Sequence, residues 1–125
     1  MFKNHATNQA ALHLSNVPEL YLYIQAEAED CRLHLRSNTN PNPQIRYNAL
    51  RHRLAICIQE WHYDLVFRLE QAATTDYAPR LLKQSFDFLR DVGMQTSSTD
   101  IDYHALAELF LEDDRPTEPA DQTEA

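Results

Sequence analysis

One glycine, Gly93, stands in 125 residues. An all-β chain needs many tight turns at positive φ, and a phosphate-binding loop needs a run of glycines, so the sequence argues against both. Cysteine is nearly as scarce: Cys31 and Cys57 stand far apart, and two isolated thiols do not make a cysteine-rich zinc site. No apolar run reaches the length of a membrane span, and no charged-then-apolar leader opens the chain, so a soluble cytoplasmic protein with no membrane role is the expectation. The motifs Gly-x-Ser-x-Gly and His-Glu-x-x-His are absent. None of the six histidines has an acidic residue three positions before it, as helical di-metal sites require. No catalytic residue, metal or cofactor is expected, and the histidines read as partly exposed.

What is present is a helix-forming chain. An apolar fraction of 43% fits one folded domain. The net charge is −8, and residues 112–125 carry −5 of it. The remainder is only mildly acidic, which disfavours general nucleic-acid binding without excluding a local basic patch. The expected fold class is all-α: a small antiparallel bundle of about four helices. It divides into a loosely ordered N-terminal segment (1–15), a helical domain (16–111) and a disordered acidic C-terminal tail (112–125).

The chain is organised around residues 44–73. At about 100° per residue, Leu50, Leu54, Cys57, Ile58, Trp61, Leu65 and Leu69 share one face of a helix. Ala49, Ile56, Tyr63 and Phe67 share the opposite face. A helix that is apolar on both sides is buried on both, within its own chain or between two chains. Before it, residues 18–36 carry a stripe of Leu20, Ile24, Ala28, Cys31 and Leu35. Asn16 and Glu19 resemble a capping box there, with Pro18 in the first turn. The stretch 37–43 is a turn by composition. Asp76 and Pro79 open a third helix that ends with Gly93 in a left-handed turn. Thr99 or Asp100 caps a fourth helix over 101–111.

With a hairpin turn near Asn40, Cys31 lies level with about residue 49 and Cys57 with about residue 23. That separates the thiols by about 12 Å along the axis, beyond the ~7 Å Cα spacing a disulfide allows. Two buried free thiols are expected.

Two surfaces stand out. The first is aromatic: Tyr21 and Tyr23, with Ile56, Tyr63 and Phe67, exceed what a bundle of this size must bury, and such residues are enriched at interfaces. Arg51 and Arg53 would edge that face and steer an acidic rim. The second is a basic tip at one end of the hairpin, where Arg32, Arg36, Arg46 and His52 gather, suited to an acidic partner, a phosphate or the chain's own tail. Arg46 and His52 form an Arg-x5-His spacing. It is similar to the Arg-x4–6-His signature of HEPN ribonucleases, with Tyr47 where that family usually has a small polar residue. The resemblance implies a helical bundle that dimerises so that two copies of the motif meet on RNA.

The functional expectation is a non-enzymatic regulator working through protein–protein contact: an inhibitor, anti-activator or adaptor, with a possible homodimer through the long helix. Nucleic-acid or ribonuclease action at the basic tip is the alternative. Mimicry of nucleic acid by the C-terminal acids is a third.

Overall fold

The first corner of the chain is dictated by Pro18. A residue before proline is driven out of helical geometry, and Val17 sits at φ −95°, ψ 110°. It ends helix α1 (His5–Asn16) and opens α2 (Pro18–His34), leaving a one-residue connection. Asn16 is therefore the last residue of α1 and not a cap, and no side chain caps α2. The computed structural model describes residues 4–70, 87–93 and 100–116. Residues 1–3, 71–86, 94–99 and 117–125 lie outside these, and with them most of the third predicted helix and most of the acidic tail.

Every regular element among the described residues is helical. After α2 come α3 (Pro43–Glu70), the helical residues 87–92 (α4), α5 (Tyr103–Glu108) and a 3-10 turn at Glu112–Asp114. That is five α-helical segments where the sequence suggested four. The addition is α1, inside the segment read as loosely ordered. Asn4 accounts for its order. Its Oδ1 accepts from Thr7 N at 2.7 Å as an N-cap, and its Nδ2 donates to Asp100 O at 2.7 Å. Thr7 is fully buried, and its Oγ1 accepts from Asp102 N at 3.0 Å. The start of α1 is thus bonded to the start of α5, where Asp102, not Thr99 or Asp100, is the cap, accepting from Ala105 N.

The α2–α3 connection differs from a tight hairpin. Three asparagines form a staircase, each accepting from the backbone two residues on: Asn38 from Asn40, Asn40 from Asn42, and Asn42 from Gln44. Arg46 also donates to Asn40 O. These local bonds fix residues 38–42 along the first turns of α3. Cys31 meets Cys57, Sγ to Sγ at 3.8 Å, and not the level of residue 49. The expected separation of the two thiols is overturned: both are free, and they touch.

One face of α3 builds the core. Leu54 and Ile58 are fully buried, Leu50 and Leu65 nearly so, and Trp61 packs against them. α2 and α5 lie against α3, and α1 lies against α2 and α5. Phe88 of α4 fills the centre, its ring 5.8 Å from His13, 4.9 Å from Trp61 and 5.3 Å from His62. Gly93 closes α4 at φ +105°, as expected for a left-handed helix end.

His62 corrects the reading of partly exposed histidines: it is 0% exposed. Its Nε2 lies 2.9 Å from Gly93 O and its Nδ1 2.9 Å from the Tyr103 hydroxyl. A carbonyl only accepts, so Nε2 carries the proton and Tyr103 donates to Nδ1. One neutral imidazole joins α3 to α4 and α5.

Burial lowers the His62 pKa, partly opposed by its bond to Gly93 O. The unfolded imidazole titrates at about 6.5. Stability is therefore present above that value and falls as pH drops through it towards the folded pKa. Urea unfolding between pH 7 and pH 5 should show this loss, and His62→Gln should flatten it while lowering stability throughout. Tyr103→Phe removes a donor from a buried acceptor and should cost about 1–3 kcal/mol in the same measurement. Burial and the neighbouring Cys31 push the Cys57 thiol up to about 12. At pH 8 the folded protein should resist iodoacetamide at Cys57 and react only once unfolded.

Candidate interaction surfaces

The second apolar face of α3 is open to solvent. Ile56 is 40% exposed, Tyr63 63% and Phe67 53%. At about 100° per residue these three and Ala49 fall within about 40° of one line, opposite Leu54 and Ile58. Arg53 and Glu60 share this line and are exposed. Beside it runs a shallow groove of about 420 Å³, lined by Leu35, Ala49, Arg53, Ile56, Cys57 and Glu60. Leu35, just past α2, is partly buried against the core, and the small Ala49 shares the groove lining with it.

The tyrosines of α2 divide. Tyr23 packs on Trp61 with ring centres 6.2 Å apart, near Glu27 and Asp64, at the edge of the open face. Tyr21 turns away to Phe110, 5.3 Å between ring centres, and accepts from Gln25. Arg51 is not brought to this face either. It reaches across to α5, its Nη1 2.7 Å from Glu108, with its guanidinium 6.0 Å from the centre of the Tyr47 ring. Of the seven residues read as partner-binding, Ile56, Tyr63, Phe67 and Arg53 share the face and Tyr23 borders it.

The basic tip is assembled in part. Arg32, Arg36 and Arg46 line a cleft of about 360 Å³ with Tyr47, Leu50 and Asp114. Arg32 is already engaged. Its Nε lies 3.1 Å from both Asp114 oxygens, its Nη2 2.8 Å from Oδ2 and 3.1 Å from Phe110 O, and its Nη1 2.7 Å from Glu29. The carboxylates hold the guanidinium above its ordinary pKa. The first acids after α5 are thus drawn onto α2 as a 3-10 turn, with Asp114, the third residue of the acidic tail, on Arg32 of the basic tip, one of the occupants the sequence offered for it.

His52 does not join this cleft. It stacks on His104 of α5, ring centres 5.2 Å apart and Nδ1 3.0 Å from Nε2. Burial, then Arg51 and His52, lower the His104 pKa. Arg46 and His52 therefore face different neighbours, and the Arg-x5-His spacing does not produce a joint site within one chain. Among the described residues no group of three or more His, Cys, Asp or Glu side chains is placed to hold a metal ion. Nor is any helix among them long and apolar enough to cross a membrane.

No protein-family model matches the chain, and no curated protein or solved structure matches it.

The Arg32–Asp114 pair is bidentate and only about a quarter exposed on each side. Removing either partner should cost roughly 1–2 kcal/mol. The double variant Arg32→Ala, Asp114→Ala should cost clearly less than the two single changes together. A coupling near zero in that unfolding cycle would show that the pair holds nothing in place.

Proposed function

We propose that this chain is a non-enzymatic regulatory protein of the cytoplasm. It acts by protein–protein contact as an inhibitor, anti-activator or adaptor, from a bundle whose helices pack antiparallel. The observation that carries this reading is the exposure of Ile56, Tyr63 and Phe67 on one line of α3. A small folded domain gains by burying such residues, roughly 1.5–3 kcal/mol for each large side chain. Three of them in register on a rigid helix are an apolar anchor set, and aromatic anchors dominate binding energy at interfaces. Arg53 and Glu60 add charge of both signs to the same line and give it selectivity.

The alternative, nucleic-acid contact or ribonuclease action at the basic tip, is supported by Arg36 and Arg46 in the cleft. It is weakened by the carboxylates of Asp114 and Glu29 on Arg32, because a phosphate must displace them. Nor do Arg46 and His52 meet in the cleft.

The test is Phe67→Asp. The variant should remain soluble with an unchanged far-ultraviolet dichroism spectrum, and lose self-association or partner binding. If it is unfolded, Phe67 belongs to a core and the reading fails. Salt-sensitive RNA binding lost in Arg36→Ala, Arg46→Ala would favour the alternative instead.

A further inference from the structure

Resting on that reading, we infer that the open face of α3 is an interface with a second copy of this chain. The two α3 helices run antiparallel about a twofold axis level with Ile58.

The face is periodic. Ala49, Arg53, Ile56, Glu60, Tyr63 and Phe67 succeed one another at spacings of four, three, four, three and four. This alternation is the seam of two helices wound on each other. All six belong to the line opposite the core stripe, and all but the small Ala49 are exposed: Arg53, Ile56, Glu60, Tyr63 and Phe67.

The sequence along the seam chooses the direction. In a parallel pair Arg53 meets Arg53 and Glu60 meets Glu60, two repulsions in a partly dry seam. Phe67 also faces Phe67, while the groove at Ala49 stays empty. In the antiparallel pair Ala49 lies opposite Phe67 of the second copy, Arg53 opposite Tyr63, and Ile56 opposite Glu60. The Phe67 ring then enters where Ala49 and Leu35 line the groove of about 420 Å³. The Arg53 guanidinium lies over a tyrosine ring. It is also one helical turn, about 4.5 Å of rise, from Glu60 of the second copy, within reach of both long side chains. Neither Arg53 nor Glu60 has an ion-pair partner among the described residues.

The arrangement is complementary to itself. Small answers large about one midpoint, each Arg53 falls diagonally beside Glu60 of the second copy, and the operation that pairs them is the twofold of an isologous dimer. A different protein as partner would require no such symmetry within a single helix face.

The experiment is light scattering over a concentration series on the full chain and three variants. The wild type should be dimeric at high concentration. Arg53→Glu and Glu60→Arg should each weaken the dimer about tenfold or more, because the axis repeats each like-charge clash twice. The double variant Arg53→Glu, Glu60→Arg should recover the dimer. Both positions are exposed, so dichroism should show all variants folded. A wild type that is monomeric throughout overturns the inference. So do single variants as dimeric as the wild type, or a double variant no better than the singles. A monomeric wild type with a folded Phe67→Asp variant removes the dimer but leaves the partner-binding reading standing. An unfolded Phe67→Asp variant removes both.

Discussion

A neutral imidazole in a dry interior holds this fold in one arrangement. His62 has no water to fall back on, so both of its nitrogens must be answered by protein, and a carbonyl and a hydroxyl supplied by two other helices answer them. Apolar burial alone tolerates sliding of one helix past another. Two hydrogen bonds of fixed direction do not. The requirement propagates outward. α5 must begin where Tyr103 reaches α3, and α4 must end where the Gly93 carbonyl turns inward. Phe88 is then held against the edge of the same imidazole.

With one side of α3 committed in this way, charge is sorted as well. Arg51 and Arg32 look alike in sequence to Arg53 and Arg36, but each closes a contact between elements: α3 to α5 through Glu108, and α2 to the 3-10 turn through Asp114. Much of the apparent basic tip is therefore internal electrostatics. The open line of α3 is narrower and more balanced, with one arginine, one glutamate and three large exposed apolar groups.

The elements with strong periodicity were legible from the residues. The inner stripe of α3 from Leu50 to Leu65, the Leu20–Cys31 stripe of α2 and the left-handed stop at Gly93 follow from spacing and backbone chemistry. So does the apolar second face of α3, although spacing could not say whether the chain covers it. Where the structure departs from the local pattern, a short-range signal has a long-range partner that outweighs it. Asn16 before Pro18 looked like a cap, but Val17 is the residue the proline distorts. The asparagines at 38, 40 and 42 read as part of a turn by composition. Their alternation is what feeds side chain to backbone, and Cys31 meets Cys57, eight residues beyond the level a tight hairpin gives it. The N-terminal segment looked weak because its cap is completed by Asp100 and Asp102, residues no local window contains. For the same reason His62 carried no signal in a chain with five other histidines.

The bonds from Asn4 and Thr7 to the start of α5 tie together positions some 95 residues apart in the chain. Contacts of that span give nothing until the intervening chain is in place, since the entropy of closing so long a loop comes first. The α1–α5 junction is therefore the clasp of the domain: it closes a loop of some 95 residues, and loosening either end removes the bonding partner of the other.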